Sequence, residues 1–142
     1  MTEPVTENPF LSEDAYGRAL ILVVERNPAV QRLERFFLEQ AGYSVDFASD
    51  GISALARARE VRPGIVVTEV MVPLLDGLSL CRELKSDPET KSIIVLIFSH
   101  LHAEDRATEA GADAFLLKPF GEQLLIDTVS KLLRQARKQS GD

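Results

Sequence analysis

"LILVVERNPAV", residues 20–30, passes from strand to helix within a single short stretch. The apolar run that begins at Ala19 and ends at Val24 is rich in β-branched side chains and has no polar alternation, the pattern of a strand buried on both faces. Asn27-Pro28 then supplies an N-cap and a first-turn proline. Val30, Leu33, Phe37 and Ala41 repeat at helical spacing until Gly42, so this side is read as the inward face of the helix. A strand with two apolar faces that feeds a helix is the first half of a parallel β-α unit.

The same unit recurs along the chain. YSVDFA (43–48) alternates more than it runs, which suits a strand near a sheet edge, and Asp50-Gly51 opens a helix that Pro63-Gly64 ends. IVVTE (65–69) precedes a helix over about 77–85. SIIVLIFS (92–99), the most apolar strand and hence expected at the centre, precedes a short helix over about 103–110. AFLL (114–117) precedes a final helix over about 121–137. Five strands alternating with five helices through short loops predict an α/β fold, a doubly wound parallel sheet covered on both faces.

Composition agrees with one folded domain over 18–137, preceded by a flexible extension (1–17) and followed by a short polar tail (138–142). Hydrophobic residues make up 45% and charged residues 27% of the 142-residue chain, ordinary values for a soluble globular protein. No apolar run approaches the roughly 20 residues of a membrane span, and MTEPVTENPFLSED lacks the basic start and apolar stretch of a secretory signal. A cytoplasmic location follows as the expectation. The net charge of −6 argues against non-specific nucleic-acid binding. Cys81, the sole cysteine, lies on an apolar helix face and reads as a buried thiol.

In open sheets of this kind the site lies beyond the carboxyl ends of the strands. Polar groups gather there: Glu25 and Arg26 after the first strand, Glu69 closing the third, Ser99 closing the fourth and Lys118 closing the fifth. No glycine-rich phosphate loop follows the first strand, which argues against a nucleotide or flavin site.

With LILVVERNPAV, VVTEVMVPLLDG, VLIFSH and GADAFLLKPF in this order, the chain resembles the receiver domain of bacterial two-component response regulators, the family of the chemotaxis regulator, over about residues 18–137. The M-x-P-x-x-D-G turn at 71–77 and the segment 111–120 are its most specific parts. The resemblance implies a flavodoxin-like fold of strand order 2-1-3-4-5. It also implies a site in which an acidic pair after strand one holds Mg²⁺, an aspartate ending strand three accepts a phosphoryl group from a histidine kinase, and a hydroxyl and a lysine end strands four and five. A carboxylate nucleophile needs such a cation to offset the charge of the incoming group, and a lysine to hold its oxygens. Carried over, the hydroxyl is Ser99, the lysine is Lys118 and the switch aromatic is Phe115. The resemblance further implies a cis Lys118-Pro119 bond.

Two departures are the informative part. Glu69 stands in the acceptor position, and the acidic pair is Glu25-Arg26. The arginine removes a ligand and adds a fixed positive charge, leaving little demand for a hard divalent cation, so Mg²⁺ binding is expected to be weak or absent. One extra methylene displaces the nucleophile by about an ångström, enough to cost orders of magnitude in an in-line transfer. The reading is therefore a stand-alone pseudo-receiver with no catalytic residue and no phosphorylation. Lys118, Ser99 and Arg26 are expected to bond Glu69 permanently, either imitating the phosphorylated form or forming an inert ion-pair cluster. The alternative is a phosphorylatable, Mg²⁺-dependent receiver that uses a residual or different carboxylate.

The resemblance places contacts with a protein partner on the face made by helix four, strand five and helix five. Glu104, Asp105, Arg106, Glu109, Asp113, Gln123, Asp127 and Lys131 would present mixed charge there, suited to a homodimer or a partner domain. His100 and His102 lack a third ligand type and read as loop residues rather than a metal site. Asp76-Gly77 reads as turn and helix-start chemistry.

Overall fold

The structure, a computed structural model, describes residue 13 and residues 17–140. The extension expected over 1–17 therefore falls almost wholly outside the described residues, as do residues 141 and 142 of the expected tail. Ten elements alternate in order: β1 (Leu20–Val24), α1 (Pro28–Gln40), β2 (Ser44–Ala48), α2 (Gly51–Val61), β3 (Ile65–Glu69), α3 (Gly77–Ser86), β4 (Ile94–Ser99), α4 (Glu104–Glu109), β5 (Ala114–Leu117) and α5 (Glu122–Ser140). The sheet is parallel throughout, in the order β2-β1-β3-β4-β5. This is the doubly wound, flavodoxin-like arrangement expected. β3 occupies the centre; β4, the most apolar strand, lies beside it with all six residues buried. The last helix runs to Ser140, past the end expected near 137.

Alternation along each strand sends neighbouring side chains to opposite faces. Leu22 and Val24 of β1, Val66 of β3, and Val95 and Ile97 of β4 pack with α2, α3 and α4 around Ala54, Ala58, Leu80, Leu84 and Ala107. Ile21 and Val23, Ile65 and Val67, and Ile94, Leu96 and Phe98 pack with α1 and α5 around Leu38, Leu125, Val129 and Leu133. The sheet thus has one dry layer under each set of helices.

The helix starts are built as the sequence signals. Asn27 Oδ1 accepts from Ala29 N at 2.9 Å, Asp50 Oδ1 from Ser53 N at 2.7 Å, and Asp76 Oδ1 from Ser79 N at 2.8 Å. Each satisfies a backbone donor that the first helical turn leaves free. Cys81 is buried, its Sγ donates to Ala110 O at 3.4 Å, and burial pushes the thiol up to about 11.

α1 differs from the expected phase. Leu33 is 51% exposed, Phe36 is 58% exposed and Ala41 is exposed, whereas Leu38 is buried and Val30, Glu34 and Phe37 are partly buried. The sequence allows two helical stripes here, one through Leu33 and one through Glu34. The apolar choice was the natural one, yet docking onto the sheet selects the stripe that carries Leu38 and takes the glutamate with it.

Candidate functional site

The carboxyl ends of β1, β3, β4 and β5 meet at one edge, and each strand delivers its terminal residue differently. Glu25 extends the β1 ladder by donating its N–H to Ala48 O at 2.9 Å. Its Oε2 accepts the Asn27 N–H at 2.9 Å, and its carbonyl accepts from the Gln31 side chain. The carboxylate of Glu25 is thus partly spent on closing the β1–α1 turn. Arg26 is exposed at the mouth of a cleft of about 290 Å³ that Glu25, Glu69 and Lys118 also line.

Glu69 lies opposite Phe98 in the β3–β4 register, and beyond it Val70 N donates to Phe98 O at 3.2 Å. The chain then turns sharply enough for Gly77 N to reach Val70 O at 2.8 Å. A Cβ on Gly77 would stand 2.2 Å from Glu69 O, so the turn that sets the height of Glu69 needs a residue without a side chain. Asp76 caps α3 rather than facing the cleft. Burial raises its pKa, but the N–H and hydroxyl bonds from Ser79 and the charge of Arg82 outweigh this and hold it below the usual value.

Strand alternation separates the remaining groups. Continuing the period of two, Glu25, Glu69 and Lys118 belong to the α1/α5 face with Phe98, while Ser99 belongs to the opposite face. Ser99 is buried, its Oγ accepts from Leu101 N at 3.0 Å, and its carbonyl accepts from Lys118 N at 2.8 Å. The hydroxyl therefore organises the loop after β4. Phe115 is half-buried and packs against the α2–α4 layer. Lys118-Pro119 is cis, as expected. The Lys118 ammonium lies over the Phe98 ring, 4.7 Å from its centroid, a cation–π position.

The permanent bonds expected at Glu69 are not made. Among the described residues, its carboxylate has no hydrogen bond or ion pair to Lys118, Ser99 or Arg26. Lys118 rests on Phe98, the Ser99 hydroxyl is engaged with Leu101 N, and Arg26 is exposed. The arrangement is a loose assembly of charges around a cleft rather than a clamp. No group of three His, Cys, Asp or Glu gathers in metal-binding geometry among the described residues. His100 and His102 are exposed.

Sequence reasoning missed Glu34. From α1 it projects over the α1/α5 face into a second cleft of about 250 Å³ that Lys118, Phe98, Phe120 and His100 also line. Its Oε1 is sealed from solvent with no hydrogen-bond partner. Burial, then the charge of Glu25, push its pKa up to about 7 against the opposing pull of Lys118. The stripe Val30, Glu34, Phe37, Leu38 was the signal that could have found it.

The residues named for a partner face lie at the surface. Glu104, Asp105, Arg106, Glu109, Gln123, Asp127 and Lys131 are exposed. Asp113, also exposed, is engaged internally, because its Oδ2 accepts from Lys85 Nζ at 2.9 Å and from Val95 N at 2.8 Å.

Comparison with known proteins places these features in context. Residues 21–130 match the response regulator receiver domain family. "Response regulator MprA" of Mycobacterium sp. (strain KMS) is 41% identical over 122 residues, 85% of this chain and 53% of its own length, so the chain spans about half of such relatives. The receiver domain of a signal transduction histidine kinase from Syntrophus aciditrophicus is 32% identical, with a TM-score of 0.77, over 82% of this chain and 91% of that one. The receiver domain of sensor histidine kinase PA1611 from Pseudomonas aeruginosa PAO1, described with a magnesium ion coordinated in its active-site cleft, is 27% identical. Its TM-score is 0.74, over 82% of this chain and 98% of that one.

Proposed function

The chain belongs to the response regulator receiver domain family of two-component signalling, and from that premise we propose that it is an atypical receiver, acting by protein–protein contact without phosphorylation of the residue that closes β3. The observation that carries this reading is the placement of Glu69 at the end of β3, in one cleft with Arg26 and Lys118. A glutamate there puts the nucleophilic oxygen about an ångström from where an aspartate would hold it, and phosphoryl transfer depends on in-line placement.

The donor set supports the same reading for the metal. Two carboxylates face the cleft, one of them already accepting the Asn27 N–H, and a guanidinium stands at its mouth. Mg²⁺ demands near-octahedral oxygen coordination, which these residues do not fit. Arg26 acts here through its charge rather than through a bond to Glu69.

The contact face is the one formed by α4, β5 and α5, whose exposed residues are of mixed sign. It suits a second copy or a partner domain.

The test is incubation of the full chain with acetyl phosphate, and separately beryllofluoride, in Mg²⁺, read by intact mass and thermal shift. The expected result is an unmodified mass and an unchanged melting temperature. The rival reading, an ordinary Mg²⁺-dependent receiver, draws on one observation: among the described residues the Glu69 carboxylate is left without a partner. A phosphorylated species in the mass spectrum would establish that rival and overturn the proposal.

A further inference from the structure

Two acidic side chains line neighbouring clefts that share one lysine. Lys118 borders both the cleft that holds Glu69 and the cleft that holds Glu34, and Val30 of α1 is common to the two. By strand alternation Glu69 and Lys118 share the α1/α5 face of the sheet, and Glu34 projects onto that face from α1. The ammonium rests over the Phe98 ring, 4.7 Å from its centroid, with no carboxylate in ion-pair contact among the described residues. Glu34 Oε1 is buried and lacks a hydrogen-bond partner. A buried carboxylate oxygen without a partner is expensive whenever the group is charged, and the ammonium bordering its cleft is that of Lys118.

We propose that Glu34 is a positioning residue: its partly buried carboxylate and Glu69 compete for Lys118, whose ammonium borders both of their clefts. The inference rests on the reading that Glu69 carries no phosphoryl group, since a phosphoryl group would claim the lysine outright. When Glu34 is neutral it makes no demand on the lysine, which is free to turn to Glu69. When Glu34 is charged it draws the lysine towards α1 and leaves Glu69 alone. Burial already pushes Glu34 up to about 7, so the exchange falls within the physiological range.

Other charged groups face the same space. Glu25 at the end of β1 opposes the ionisation of Glu34, and Lys118 favours it. His100 from the loop after β4 and Glu122 from the start of α5 also line the cleft. A histidine changes charge in the same pH range, so His100→Gln serves as the background in which Glu34 is the group under test.

The experiment is a carboxyl- and lysine-detected NMR titration of the full chain, without metal or phosphodonor, from pH 5 to pH 9 (about the span over which such groups exchange protons). In the wild-type chain and in His100→Gln, the Lys118 side-chain ε signals should follow a transition that coincides with the Glu34 carboxyl. Glu34→Gln should remove that transition, together with the step that the Glu69 carboxyl signal shows over the same pH range as the lysine leaves it. In a Lys118→Gln background, Glu34→Gln should leave Glu69 nearly unmoved. Glu34→Asp should restore a shifted Lys118 transition, which a purely packing role would not do. A Glu69 response of equal size with and without Lys118, or Lys118 signals that ignore the Glu34 titration, would overturn the proposal. The wild-type titration needs no variant to fold. It is also independent of the acetyl phosphate result: labelling of the chain would refute the atypical reading while leaving the competition in the unlabelled protein to be read directly.

Discussion

Three side chains at one sheet edge, Arg26, Glu34 and Glu69, carry most of what distinguishes this receiver, and each has its own test. Arg26 and Glu69 change the acceptor chemistry in different ways, one through charge and one through geometry. Glu69→Asp alone should therefore stay unreactive towards acetyl phosphate. Glu69→Asp combined with Arg26→Asp should gain Mg²⁺-dependent labelling, read by intact mass, because both nucleophile placement and metal demand are then restored. Labelling of the single variant would show that geometry alone withholds the reaction. Glu34 affects stability as well. Its pKa is about 4.5 in an unfolded chain and about 7 in the fold, so between those values the folded state binds more protons than the unfolded one. Stability is then fully present below about pH 4.5 and declines as pH rises to about 7, by roughly 3 kcal/mol before solvent screening is allowed for. Glu34→Leu should flatten this decline and raise the denaturation midpoint at pH 8 more than at pH 5. Equal gains at the two pH values would assign the effect to packing alone.

Among the elements, the β3–α3 turn is the one on which the site depends. Gly77 is required by proximity rather than by backbone angle, since a Cβ would meet Glu69 O at 2.2 Å and Glu69 C at 3.0 Å. Gly77→Ala should cost about 2–4 kcal/mol, because backbone rather than a flexible side chain must give way. It should also shift the amide signals of Glu69 and Val70. Gly121→Ala, with nothing within 4 Å of the added carbon, should stay within about 0.5 kcal/mol of the wild type by urea denaturation. The cap of α3 gives a milder case. Asp76→Ala removes the bonds to Ser79 N and Oγ and should cost about 1 kcal/mol. Because the folded pKa of Asp76 is lowered, that contribution is present above the usual aspartate range and fades as pH falls through the folded value. Most of these elements were legible in the sequence for local reasons: buried strands are short apolar runs, and Asn27, Asp50 and Asp76 announce the helix starts. The rotation of α1 was not legible. Two stripes one residue apart fit the same period, and the sheet that decides between them is assembled from strands distant in sequence.

At the scale of the molecule, the sheet separates a pole of loosely engaged charges from a structural one. Which strands end at the site follows from the parallel order, so the strand-end residues are legible in the sequence. What their side chains touch is not. Lys118 was expected on Glu69 and lies on Phe98 instead, because an aromatic ring on the neighbouring strand and a second carboxylate on α1 both bear on the same cation. The opposite pole shows what a fully committed lysine looks like. Lys85 of α3 donates to Ile93 O at 2.7 Å and to Lys91 O at 3.3 Å, and pairs with Asp113 at 2.9 Å. Asp113 in turn receives Val95 N. One side chain thus joins α3, the entry to β4 and the entry to β5. Its side chain is 20% exposed, so the pair is only moderately screened. Lys85→Met keeps the aliphatic stem and removes the charge, leaving Asp113 with the Val95 N–H alone and depriving two carbonyls of this donor. It should lower stability by roughly 2 kcal/mol in urea denaturation. The strand ends that carry Glu69 and Lys118 lie at the other end of the sheet, and substitutions that share no partners add nearly independently. Lys85→Met should therefore leave the Lys118 and Glu69 NMR titrations unchanged, and combining it with Glu34→Leu should give the sum of the two stability effects within about 0.5 kcal/mol. A coupling larger than that would mean that the two poles of the sheet respond as one unit.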